Sequence, residues 1–341
     1  MLDMLSRLRL PPIKPREEML DVLQREEYGY MPPKPTSLCF SVKENLVNNF
    51  CGGNATLSKV TAHCTVNGKD FSFPFYASVP TTEGKKPFFV HINFRENVPD
   101  TYQPTEEIID NGYAVLSFCY KDVTSDDNDF TNGLAGVLYE NGERGETDAG
   151  KIAMWAWAAQ RVLDYAYSLP EIFDLDTAVV CGHSRLGKTA LLAAATDERF
   201  THAYSNDSGC SGAALSRMRM GETVEVITRV FPFWFCKNYL SYADNEDKMP
   251  FDQHYLLSAI APRKVLIGSA SEDSWAGPES EFLCCLAASQ SFKNGLCHGN
   301  SIPQAPEKLL SGDIGYHIRF GKHYFSRHDW HRLIEFVNLH K

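Results

Sequence analysis

The sequence predicts an α/β fold with a mostly parallel central sheet, helices on its faces and antiparallel strands along an N-terminal edge. Three observations carry this. Alternating strand-like runs come first and include a hairpin signal. After Pro87, strand and helix patterns alternate along the chain. The later strands are continuous apolar runs, which is how strands covered on both faces read.

The first 35 residues read as a segment that packs onto the body: Pro11, Pro12 and Pro15 interrupt it, and Arg16 to Glu27 has helical spacing. Residues 36–341 read as one domain, since no repeat, low-complexity tract or linker divides them. Strands are expected at Leu38 to Val42, Thr56 to Val66 and Phe71 to Val79. The Asn67-Gly68 pair between the last two suits a two-residue hairpin turn. PFFVHINF, from Pro87, and YAVLSFCY, from Tyr113 to Tyr120, open the parallel part. A helix follows from about Asp148 to Leu169, then a strand at Thr177 to Gly182 and a helix after Gly187. Strands at His202 to Asn206, Lys264 to Ala270 and Tyr316 to Phe320 alternate with helices from Glu279 and over Trp330 to Leu339. Two long, poorly periodic segments, Lys121 to Arg144 and Phe231 to Gln253, each follow a strand and are expected to line a cleft above the strand ends.

Composition narrows the function. The 341 residues are 43% hydrophobic and 22% charged, near the average of soluble globular chains, which excludes collagen, coiled coil and disorder. A net charge of −10 argues against nucleic acid or an anionic membrane as partner. No apolar run approaches the ~20 residues of a membrane span. The N-terminus lacks the apolar stretch of a signal peptide, so the expectation is a cytoplasmic protein, or one whose leader was removed. Ten cysteines fit a reducing compartment, with Cys39, Cys64, Cys119, Cys181 and Cys284 expected as small buried hydrophobes. Cys284, Cys285, Cys297 and His298 match no zinc spacing, and no metal or cofactor is expected.

The strongest chemical signal is Gly182-His183-Ser184-Arg185-Leu186-Gly187-Lys188, where an apolar strand runs into a helix. A serine on such a turn presents its hydroxyl above the sheet, and the N–H of Arg185 at the helix start is free to hold an oxyanion. This pattern reads as the nucleophile turn of an α/β-hydrolase fold, although the second glycine stands one place later than in G-x-S-x-G. The alternative is a serine that merely caps the helix. A serine nucleophile needs a histidine base and an acid, in the chain order Ser, acid, His. His323 directly follows the last strand; His328 and His331 fall at the start of the last helix, and His317 lies inside the strand. Two acids fit: Asp207 after the strand that ends at Asn206, and Asp273 after KVLIGSA, the usual place for the acid.

GHSRLGK, SNDSGCSGAALSR, GET, FPFWF, SEDSWAGP and GKHYFSRHDW, in that order, resemble the glucuronoyl esterase family (carbohydrate esterase family fifteen), its bacterial branch above all. The family motif G-C-S-R-x-G-K places its second glycine as here. The resemblance implies Ser184 as nucleophile, His323 as base and the Arg185 guanidinium at the oxyanion. It implies Lys188, Glu222 and Trp275 as contacts of a uronic acid sugar. Family members often carry Glu where Asp207 stands, and some place the acid where Asp273 stands. Asp273 is therefore expected as principal acid with Asp207 as partial backup. The implied activity is cleavage of esters of (4-O-methyl-)glucuronic acid, as in xylan–lignin linkages or derived oligosaccharides, through an acyl-serine. The alternatives are an acetyl xylan esterase with the same triad and a non-catalytic carbohydrate-binding relative.

Overall fold

The computed structural model describes residues 1–341, with the side chain of Leu2 outside the description. One ten-stranded sheet organises the chain: β1 (Ser37–Lys43), β2 (Ala55–Val66), β3 (Lys69–Pro80), β4 (Lys86–Asn93), β5 (Ala114–Cys119), β6 (Phe173–His183), β7 (His202–Asn206), β8 (Lys264–Ala270), β9 (Lys308–Leu309) and β10 (Ile314–Arg319). Their spatial order is β1-β2-β3-β5-β4-β6-β7-β8-β10-β9. Neighbours from β5 to β10 are parallel. β1, β2, β3 and the short β9 pair antiparallel. This is the architecture the sequence predicts. At the hairpin, Val66 pairs with Lys69, and Asn67 and Gly68 both have positive φ, as a type I′ turn requires.

The parallel strands are buried along most of their length because both faces are covered. On β4, Phe88, Val90 and Ile92 join the larger core. Phe89 points the other way, against Tyr113 at 4.8 Å and Trp330 at 5.4 Å. The larger core holds the helix Lys151–Tyr167, which is buried nearly all round. Its Trp157 donates to Pro33 O at 2.9 Å and its Lys151 to Asp129 O at 2.6 Å. The helix thereby ties the N-terminal segment and the 121–144 segment to the sheet.

Four sequence expectations are modified. The N-terminal helix ends at Leu23, and a wider turn, Gln24–Tyr28, carries Tyr28 into the core, where its hydroxyl donates to Ser211 O at 2.8 Å. Cys39 is exposed, because β1 is an edge strand with one open face. The last helix begins at Arg327, three residues early: Ser326 and Asp329 form a capping box with Asp in the place of the usual Glu. Short helices that the periodicity missed, Thr105–Asp110, Gly133–Leu138 and Val224–Val230, lie in the connecting segments. Among the described residues no helix is long and apolar enough to cross a membrane.

Glu27 is fully buried and accepts two hydrogen bonds from Gln253 Nε2, at 2.9 and 3.1 Å. Burial pushes its carboxyl up to about 8. The native state thus keeps a proton that the unfolded chain releases in the ordinary carboxylate range. The stability this confers is complete at acid pH and is lost as pH rises toward 8. Melting temperatures measured from pH 5 to 8 should fall in the parent and fall less steeply in Glu27→Gln; parallel curves would reject Glu27 as the group responsible.

Candidate active site

Ser184 directly follows β6 and has φ 57° and ψ −127°, a conformation that non-glycine residues adopt only when the surroundings enforce it. Its N–H donates to Asn206 O at 2.8 Å, and the helix Arg185–Thr196 begins at the next residue. Two glycines make room. A Cβ at Gly182 would lie 2.2 Å from Leu186 O, and one at Gly187 would lie 2.7 Å from Ser205 Oγ. The late second glycine is thus placed where the first helical turn presses on the end of β7.

His323 lies four residues past β10, and its Nδ1 is 2.6 Å from Asp273 Oδ2. The loops that carry His323 and Asp273 are stapled together: Ser271 N donates to Arg319 O and Glu272 N to Gly321 O, both at 2.9 Å. Asp273 is buried, with Oδ1 accepting from Ala276 N at 3.2 Å. The His323 ring lies 4.4 Å from that of His183. His183 is buried beside Asn206 Oδ1 at 2.7 Å, and burial, then the His323 charge, press its pKa well down.

Asp207 directly follows β7 and is also close. One side-chain atom of each of Asp207, Asp273 and His323 lies within 4.8 Å of the others. However, its Oδ2 faces Arg319 Nη2 at 3.4 Å, and its buried Oδ1 has no hydrogen-bond partner. Burial, with the Glu281 and Asp329 carboxylates, pushes its pKa well up. The imidazole hydrogen bond therefore belongs to Asp273. His317 is buried in β10 beside the Tyr204 hydroxyl at 3.0 Å, and His331 is on the last helix beside Glu107 at 3.1 Å.

Ser184, Arg185, Lys188, Glu222, Trp275 and His323 line one pocket of about 370 Å³. Val226, Phe231 and Trp234 supply apolar wall. Lys188 is buried, its Nζ donating to Ser208 O and Cys210 O at 2.5 Å each and lying 3.6 Å from Glu222 Oε2. Trp275 is half-exposed at the mouth, and its carbonyl accepts from Glu222 N at 2.9 Å. A larger groove of about 1030 Å³ opens beside Tyr324, but its described lining contains neither Ser184 nor His323.

Residues missed in the sequence complete the site. Asp126 pairs with Arg185 Nη1 and also accepts from Trp234 Nε1 at 2.8 Å and from the Tyr120 hydroxyl at 2.9 Å. The guanidinium carbon sits 4.7 Å from the Trp234 ring, and Arg185 Nε is buried without a partner. A caged, oriented guanidinium is suited to a developing negative charge. Glu281 accepts from Gly209 N at 2.9 Å and from Ser269 Oγ, and burial pushes it up to about 7. Phe231 and Trp234 belong to FPFWF, and Asp126 lies in the Lys121 to Arg144 segment expected to line a cleft, though nothing in the sequence singles it out. Gly187→Ala should push the helix from β7, destabilise by about 1–3 kcal/mol in denaturant unfolding and slow fluorophosphonate labelling of Ser184. Unchanged values for both would reject the close-approach account.

Residues 62–295 match a family model described as "Glucuronyl esterase, fungi". Over 242 residues the chain is 43% identical to carbohydrate esterase MZ0003 from an unknown prokaryotic organism, which covers 69% of this chain and 55% of that protein. It is 27% identical over 324 residues to a 4-O-methyl-glucuronoyl methylesterase of Podospora anserina, covering 89% of this chain and 62% of that one. The chain thus spans less than two thirds of the length of either relative. Among solved structures, a glucuronoyl esterase from Solibacter usitatus superposes with TM-score 0.86 at 30% identity, covering 96% of this chain and 92% of that one. A promiscuous CE15 esterase from a marine bacterial metagenome superposes with TM-score 0.85 at 32% identity, covering 96% and 91%.

Proposed function

Since the chain belongs to the glucuronyl esterase family, we propose that it hydrolyses carboxylic esters of glucuronic acid or its 4-O-methyl ether through an acyl-Ser184 intermediate. The observation that carries this reading is one pocket lined by the strained Ser184, by His323, which is backed by Asp273 at 2.6 Å, and by the polar pair Lys188 and Glu222.

In this reading Ser184 Oγ attacks the ester carbonyl while His323 Nε2 takes its proton. Asp273 fixes Nδ1 as the protonated nitrogen and stabilises the imidazolium. The carbonyl oxygen becomes negative and is met by the Arg185 N–H and guanidinium. His323 then gives the proton to the departing alcohol oxygen, and the C–O bond breaks. Water repeats the sequence on the acyl-serine and releases the uronic acid. Lys188, Glu222 and Trp275 hold the sugar, and xylan-linked uronates or the oligosaccharides derived from them are the natural carriers of this group.

Ser184→Ala should lose at least ~10³-fold in kcat on benzyl glucuronate, because the covalent route disappears. Asp273→Asn should lose at least ~10³-fold as well, by analogy with amide substitution of a triad acid, whereas Asp207→Asn should stay within about tenfold. The reverse order in steady-state kinetics would move the acid to Asp207.

Glu222→Ala should lower kcat/KM for benzyl glucuronate by about tenfold or more, the scale of one lost polar contact, and leave 4-nitrophenyl acetate within about threefold. Equal losses on both esters would assign Glu222 to the fold and not to the sugar.

A further inference from the structure

Arg319, the last residue of β10, lies almost fully buried beneath the loop that carries His323. Its Nε donates to both oxygens of Asp329, at 3.0 and 2.8 Å. Its Nη1 donates to Phe320 O at 3.1 Å. Its Nη2 donates to Lys322 O at 3.1 Å and to Tyr324 O, the two carbonyls that flank His323, and faces Asp207 Oδ2 at 3.4 Å. Asp329 is itself locked as an acceptor from Ser326 N at 2.8 Å and Ser326 Oγ at 2.7 Å, in the cap of the last helix. The loop winds tightly over the guanidinium: Gly321 has φ 106°, and a Cβ there would lie 3.2 Å from Arg319 Nη1.

We propose that Arg319 is a positioning residue for the reaction: by gripping the carbonyls on both sides of His323 it aims the imidazole at Asp273 and Ser184. This rests on His323 being the base. The geometry also gives Asp207 work other than the triad. It faces the outer edge of the same guanidinium, and Tyr324 N points at its Oδ2 at 3.5 Å, so it backs the grip from below. The grip needs a planar fork. A lysine supplies one charge from one point and cannot reach Asp329, Lys322 O and Tyr324 O together. Without the fork the two peptides around His323 lose their fixed orientation, and a base misplaced by about 1 Å is enough to slow reaction some 10²-fold.

The test is Arg319→Lys beside Arg319→Met, with folding followed by near-UV circular dichroism. Both should lower kcat on benzyl glucuronate by about 10²-fold while KM stays within about threefold. Both should also abolish the downfield proton resonance of the His323 Nδ1–H···Asp273 hydrogen bond. A folded Arg319→Lys with kcat within about threefold of the parent and that resonance intact would overturn the proposal, since charge alone would then suffice. Removing the fork entirely strands two buried carboxylates; if Arg319→Met fails to fold, the lysine variant decides alone. A parent inactive on every glucuronate ester would reject the substrate reading. The Arg319 question would still be answered, by the rate at which fluorophosphonate labels Ser184 and by the same resonance.

Discussion

Ser184 is held at φ 57° by packing on three sides, and every other part of the site is placed relative to it. Such backbone strain amounts to roughly 1–3 kcal/mol and persists only when the neighbourhood over-determines it. Here β6 is pinned between β4 and β7 with both faces covered. The helix that starts at Arg185 carries Ala190, Ala193, Ala194 and Ala195, all fully buried. Small side chains let it lie close to the helix Lys151–Tyr167, and Gly187 lets its first turn touch β7. The sequence thus produces the strained turn through the small residues around the serine as well as through the serine itself.

Beneath the turn the balance of charge decides which acid serves His323. Asp207, Asp273, Glu281 and Asp329 converge on one buried region, where Arg319 is the paired guanidinium. Four carboxylates cannot all ionise there without strong repulsion. Glu281 is pushed up to about 7 and Asp207 well above its ordinary range. Asp273 stands outermost, on a loop stitched to the His323 loop by residues 271 and 272, and is the carboxylate already bonded to His323. Chain topology and electrostatics therefore select the same residue.

The fold was legible because its signals are local. Continuous apolar strands, the Asn67-Gly68 turn and the strand–Ser–helix junction each depend on neighbours in sequence. Ser184, His323, both candidate acids and the Lys188–Glu222 pair were reached from position after strands and from the family resemblance. Asp126, Arg319 and Glu281 were not, for a common physical reason. Asp126 and Glu281 act through partners far along the chain, Arg185 and Gly209, and Arg319 grips nearby carbonyls only because the fold winds the His323 loop over it and brings Asp207 to its edge. A lone acid in a loop or an arginine ending a strand reads as solvated until the fold buries it. The start of the last helix was misplaced for a smaller reason: aspartate stands in the third capping position, where the familiar pattern has glutamate.

The polar end of the pocket gives the ester reading its chemical direction. Lys188 has three donor hydrogens, and two are committed to Ser208 O and Cys210 O. The third faces Glu222 across 3.6 Å, longer than a hydrogen bond, so a donor and an acceptor look into the same space without satisfying each other. A hydroxyl both accepts and donates, so it can take a hydrogen from Lys188 and give one to Glu222 at once. Adjacent hydroxyls are what a sugar ring offers, and an acetyl methyl offers neither function. Burying that methyl there would leave the pair unmatched, a penalty on the order of 1–3 kcal/mol for each unpaired group. Lys188 thereby acts twice: it clamps the 208–210 turn that follows Asp207, and it presents the one remaining hydrogen where a polyol can use it.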